Sequence, residues 1–189
     1  MNLDINKQEL INSLREHDLG TFEHSKRVAD LAHGFGMYLG YHKDDLRLLH
    51  EAAALHDIGK LNVDSGILNS KERLADDEFA EIVKHTIYSE DILKKVNTPD
   101  KMLRAVRSHH ENYNGTGYPD RLTCEEINTE ASIIRIIDSY DSMVNDRPYK
   151  KGISNEEALK EIATLREILY RPDLVDKFIV YMKVKKIEH

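Results

Sequence analysis

Four isoleucines in five positions, Ile133, Ile134, Ile136 and Ile137, run directly into an acid, Asp138. The isoleucines demand a dry environment. The carboxylate tolerates one only if it is paired or ligates a metal, since burying it alone costs several kcal/mol. The fold must therefore enclose this segment and bring a positive group to Asp138. The isoleucine run by itself could be a strand. Its length, 130–145, and the helical charge pattern beside it favour a helix.

The rest of the chain carries the same period. Val28, Leu31, Ala32, Phe35 and Leu39 form an i, i+3/i+4 stripe over 21–39, and Leu46, Leu49, Ala53 and Leu55 form another over 44–58. Gly59 suits a left-handed cap of that second helix. Residues 60–76 break the period and read as a loop. A helix is predicted over 77–95. Another starts at Thr98-Pro99, with Thr98 as N-cap, and ends near His110. Residues 111–122 are loop, punctuated by Asn114-Gly115 and Gly117-Tyr118-Pro119. Thr123 and Ser154 open capping boxes, the second before a helix to about Tyr170, and a last helix follows Arg171-Pro172. No stretch alternates with period two. The expected class is all-α, about seven or eight helices, in a single domain spanning 1–189.

Composition excludes several functions. With 27 basic against 34 acidic residues, the net charge of -7 argues against a grip on a DNA or RNA polymer. No apolar run approaches the ~18 residues of a membrane helix, and the first residues lack a signal-peptide core, so no membrane partner is expected. The single cysteine, Cys124, can form neither an internal disulfide nor a cysteine-based zinc site, which suits a reducing cytoplasm. A small anionic ligand in a local positive site remains compatible with all of this.

The chemistry concentrates in ten histidines. His56-Asp57-Ile58-Gly59-Lys60 sets an imidazole beside a carboxylate, both ligands for divalent cations. Neighbouring helical residues diverge by about 100°, so the pair suits two adjacent metals better than one. The bland alternative is an ordinary charged helix end. His24, His85, His109 and His110 are each unremarkable alone, as single helical histidines are usually satisfied core or surface residues. Together with Asp138 they are harder to dismiss.

The order of these motifs resembles a known family. His24-x-x-Arg27-Val28 is followed by His56-Asp57-x-Gly59-Lys60, a lone His85, His109-His110-Glu111, Asn114-Gly115-Thr116-Gly117-Tyr118-Pro119, Asp138-x-Tyr140-Asp141 and Arg147-Pro148-Tyr149. This resembles the HD-GYP subgroup of the HD-superfamily metal-dependent phosphohydrolases, over about 21–150. The resemblance implies an all-helical HD-type bundle and hydrolysis of cyclic di-GMP to linear dinucleotide or GMP by a metal-bridged hydroxide. It implies His24, His56, Asp57, His85, His109, His110 and Asp138 as metal ligands, with Asp57 bridging two divalent ions. Iron or manganese come first, with zinc, nickel or magnesium as alternatives. Lys60 would stabilise phosphate charge or protonate the leaving oxygen. Gly117, Tyr118 and Pro119 would border the substrate, Tyr118 against a guanine, on a flexible loop. Arg147 and Lys150 would clamp phosphate. Asp141 either hydrogen-bonds a ligand imidazole or caps a turn. His17, His33, His42, His50 and His189 match no ligand position.

The sequence departs from the family pattern in places. Gly20 stands where members with a third metal carry a Glu, so two metals are expected. Asn114 replaces an Asp, Val63-Asp64 replaces Ile-Pro, Ser89 replaces a Gly, and Tyr170-Arg171-Pro172 replaces Phe-Asp-Pro. None of these removes a ligand. The expected function is a bimetallic cyclic di-GMP phosphodiesterase. Its rivals are an HD phosphohydrolase of another cyclic dinucleotide or nucleotide, and a non-catalytic dinucleotide-binding module. A homodimer and separate sensor or signalling proteins are open as partners.

Overall fold

The computed structural model describes residues 6–68, 70, 75–146 and 151–187. Among them the chain is helical, and its only extended pairings are two isolated bridges, Asn114 with Thr123 and Arg166 with Tyr170. The helices are α1 (Lys7–His17), α2 (Leu19–Tyr38), α3 (Lys43–Leu55), the single turn α4 (Ser65–Leu68), α5 (Asp76–Val83), α6 (His85–Leu93), α7 (Asp100–Arg107), α8 (Thr129–Val144), α9 (Asn155–Thr164) and α10 (Pro172–Ile187). The all-α expectation holds. No helix among the described residues is long and apolar enough to cross a membrane.

Side-chain caps set several helix starts. Asn6 and Ser154 each accept a backbone N–H at the third helical residue, and Glu9 and Glu157 reach back to complete the box. Asp18 accepts from Gly20 N–H and the Thr21 hydroxyl, which turns the chain from α1 into α2. Asn128 caps α8 through Ala131 N–H.

Several boundaries differ from the sequence reading. The helix expected over 77–95 breaks at Lys84, where the His85 ring bonds the Ile82 carbonyl. Pro99, not Thr98, precedes the first residue of α7, because the Thr98 hydroxyl donates to the Val96 carbonyl instead. That helix stops at Arg107, short of the paired histidines. Residues Ile58–Asn62 form a 3-10 turn and α4 adds another turn within the expected loop. Gly59 is not a left-handed cap. It is glycine because a Cβ there would strike the His85 carbonyl and the Ser89 backbone, where the turn rests on α6. The helix after Ser154 ends at Thr164, with Glu167 at positive φ in the turn beyond.

The isoleucine segment is the centre of the molecule. On α8, Ala131, Ile133, Ile134, Ile136 and Ile137 are fully buried, and the helix packs on α2, α3, α7, α9 and α10. It joins one contiguous apolar cluster. Full burial of each such side chain contributes about 1.5–3 kcal/mol. At one end of this core the Phe178 ring meets Phe35 edge-on at 5.3 Å and Tyr140 at 5.6 Å, which ties α10 to α2 and α8. Phe178→Ala should lower the unfolding free energy by about 3–5 kcal/mol, read from urea denaturation.

Candidate metal centre

Helix ends deliver most of the candidate ligands. His56 follows the last residue of α3, and Asp57 opens the 3-10 turn. His85 is the first residue of α6, with one residue, Lys84, between it and the end of α5. His109 and His110 follow α7. The last four carbonyls of a helix lack partners within it. Three of these histidines answer that need in the same way. His56 Nδ1 lies 2.7 Å from the Ala53 carbonyl, His85 Nδ1 2.7 Å from Ile82, and His109 Nδ1 2.6 Å from Val106. Each Nδ1–H donates three residues back. The remaining Nε2 is then an unprotonated lone pair, the form that binds metal.

Those lone pairs converge on Asp57. His85 Nε2 is 3.2 Å from Asp57 Oδ1, His56 Nε2 is 3.4 Å from Oδ2, and His109 Nε2 is 4.0 Å from Oδ1. His85 Nε2 and His109 Nε2 are 3.3 Å apart. The ligand atoms of Asp57, His85, His109 and His110 lie within 4.8 Å of one another, and so do those of His24, His56 and Asp57. Asp57 belongs to both groups. Asp138 stands on the His24 side, its Oδ1 3.0 Å from His24 Nε2.

The donor set fits divalent cations. His56 Nε2 and Asp57 Oδ1 are buried without a hydrogen bond, and buried polar atoms are seldom left so. Acceptor lone pairs facing a carboxylate repel it unless a cation lies between them. Imidazole with carboxylate suits iron, manganese, zinc or nickel.

Charges follow the same logic. Burial pushes His56 down, and pushes His85 down to about 4. Burial and neighbouring imidazoles hold His109 and His110 well below the usual histidine range. Burial alone would raise Asp57, yet Lys60, His56 and His85 hold it well below the carboxylate range. Burial would likewise raise Asp138, but the His24 hydrogen bond and charge outweigh it. His24 differs from the other rings. Burial would lower it, but Asp138 and Asp141 raise it to about 9.

Asp141 resolves the alternatives left open above. Its Oδ2 takes the His24 Nδ1 at 2.7 Å, and Arg27 grips both carboxylate oxygens at 2.8 Å. It orients the His24 imidazole, and its Oδ1 also accepts from Asn145 Nδ2 at the end of α8. Sequence reasoning passed over Arg27's part. The signal was its place three residues after His24, on the same helix face.

Lys60 Nζ lies 2.6 Å from Asp57 Oδ2, with its side chain 19% exposed at the rim. The Gly-Tyr-Pro loop is anchored rather than flexible. Glu111, 1% exposed, accepts the Asp120 and Leu122 N–H groups at 2.7 and 3.1 Å. Arg107 holds Asp120 in a two-bond fork and Glu90 with its third nitrogen. Gly117 is buried on the backbone of His110, Glu111 and Asn112, where a Cβ has no room. Tyr118 stacks on the His110 ring, 4.9 Å between centroids, so this face of the phenol covers a candidate ligand and is closed to a base. Half-buried Pro119 follows it. Arg147 and Lys150 lie outside the described residues.

Known proteins resemble this chain in sequence and in fold. A family described as "HD domain" matches residues 8–174. The chain is 36% identical over 174 residues to a cyclic di-GMP phosphodiesterase of Thermotoga maritima, covering 90% of this chain and 47% of that protein. It is 35% identical over 139 residues to 3'3'-cGAMP-specific phosphodiesterase 3 of Vibrio cholerae serotype O1, covering 74% of this chain and 30% of that protein. The chain thus spans less than half of each relative's length. Among solved structures, an HDGYP protein of Bdellovibrio bacteriovorus superposes with TM-score 0.70 at 20% identity, over 86% of this chain and 52% of that one, a likeness of fold.

The two kinds of histidine pull stability in opposite directions with pH. His24 sits above its ordinary 6.5, so its contribution is complete below that value and is lost as pH rises through about 9. His85 sits below 6.5, so its buried neutral ring becomes a penalty as pH falls toward about 4. Through these two groups the metal-free protein should be most stable near pH 6.5 and weaken on both sides. Urea denaturation in chelator across pH 4 to 9 checks this window.

Proposed function

This chain belongs to the HD-domain family, and we propose that it is a metal-dependent phosphodiesterase that opens a cyclic dinucleotide. The observation behind this reading is Asp57, one buried carboxylate common to two groups of ligand atoms. His24, His56, Asp57 and Asp138 would hold one divalent ion, and Asp57, His85, His109 and His110 a second. Two ions agree with Gly20 standing where a third would need a carboxylate. A bound pair supplies a lowered pKa for water and Lewis-acid stabilisation of phosphate charge.

The chain's own residues supply the rest. The four Nδ1 anchors fix the ligand rings, so no reorganisation is needed as charge develops. Lys60, touching Asp57 from the rim, is placed to neutralise phosphate charge or to protonate the leaving oxygen. The Glu111 and Arg107 contacts hold the Gly117–Pro119 loop as a fixed wall beside His110. Arg147 and Lys150 are assigned to phosphate binding by the family pattern alone. These positive groups let a chain of net charge -7 hold a dianion.

The named activity of the Thermotoga maritima relative favours cyclic di-GMP as substrate. A second reading, a mixed guanine–adenine cyclic dinucleotide, has its own support in the Vibrio cholerae relative and in Asn114 replacing the family's Asp. Charge balance and the single cysteine suit a cytoplasmic location.

The test is product analysis after anaerobic reconstitution with Fe(II), and separately with Mn(II), offering cyclic di-GMP and 3'3'-cGAMP. Linear dinucleotide or mononucleotide is expected from wild type. Asp57→Ala should lose turnover and metal loading together, and retention of both sinks the role given to Asp57. Lys60→Met should keep its metal while kcat falls by about 10²–10⁴-fold. Metal bound with dinucleotide bound but never cleaved would instead make the chain a receptor.

A further inference from the structure

Ser89 stands where the family carries a glycine, and it lies among the metal-centre residues without being a ligand. It is fully buried on α6, one turn after His85 and on the same face. Its Oγ accepts the Gly59 N–H at 2.7 Å and donates to the His56 carbonyl at 2.9 Å. These two backbone groups bracket Asp57. The hydroxyl therefore spans the short stretch of chain that carries two of the ligands.

We infer that Ser89 is a positioning residue, a clasp that fixes the His56–Gly59 turn, and with it the Asp57 carboxylate, to the helix that carries His85. The inference rests on the metal reading proposed above. The turn lies so close to α6 that Gly59 cannot carry a Cβ, and in this chain the adjacent side chain supplies both a donor and an acceptor in that gap. A serine hydroxyl does both at once. The His56 ring is already held from the other side by the Ala53 carbonyl. Clasp and ring anchor together define the distance from His56 and Asp57 to His85. A glycine or alanine at 89 would leave the Gly59 N–H and the His56 carbonyl to water or to nothing. The turn would then move independently of α6.

The test is Mn(II) binding to chelator-stripped protein, read by calorimetry and by the electron paramagnetic resonance of the loaded centre. Ser89→Ala and Ser89→Gly should each weaken at least one Mn(II) site by roughly 10-fold or more and alter the resonance of the pair, with the number of sites unchanged. Ser132→Ala is the control. Its buried hydroxyl donates to the carbonyl of Asn128, the N-cap of its own helix, so it should lower the melting temperature while leaving Mn(II) affinity within about twofold, well short of an outer-shell effect. Ser89 variants that bind Mn(II) as wild type does, or an equal loss in Ser132→Ala, overturn the clasp and leave the metal reading intact. Wild type that takes up no Mn(II) overturns both. Amide exchange in the loaded wild-type protein needs no variant. A protected Gly59 amide is expected, and a rapidly exchanging one overturns the inference.

Discussion

The structure depends on keeping one carboxylate charged out of water. Asp57 is 2% exposed, and around it stand imidazoles whose second nitrogens are already committed to backbone carbonyls. Among the described residues, Lys60 offers it a full positive charge within hydrogen-bonding distance. An arrangement this short of protons makes sense only as a receiver of positive charge. The surrounding core is shaped to that end. The turn of residues 58–62 lies on α6, α8 brings Asp138 in from the far side, and α2 brings His24 between Asp138 and Asp141.

The two sides of the centre are built differently. On the His85 side, ring nitrogens are held by backbone carbonyls, and burial keeps the rings neutral. On the His24 side a chain of ions runs Arg27, Asp141, His24, Asp138. Buried charges of this kind stay folded only because each has a partner of opposite sign. Removing any member strands its neighbour. A carboxylate behind the ring also makes His24 a more basic imidazole than those backed by carbonyls.

Much of this was legible before the fold was known. The isoleucine run ending in Asp138 demanded a central helix and a partner for its acid, and α8 supplies both. The candidate ligands, drawn from five separate stretches of sequence, come together as the motif order implied. What was not legible lies in relations between distant segments. Nothing local marks Lys84 as a break, because the break depends on where the His85 ring finds an acceptor. Gly59 invited a left-handed cap, and its true reason, the approach of α6, is a contact across sequence. Tyr118 read as stacking on or bordering a base, and only the fold shows that one face of its ring lies on His110. Ser89 looked like a simple departure from a pattern, and only packing shows what its hydroxyl touches.

The three histidines that bond a carbonyl three residues back have a further consequence. Each bond is made within a single helix end, across only three residues. The direction of these rings is thus set by the helix end itself and needs no side-chain contact from another helix. The entropy of ordering these ligands is met during folding and not when an ion arrives. A site prepared in this way is preorganised, and its affinity for an ion is not diminished by having to build its own cage.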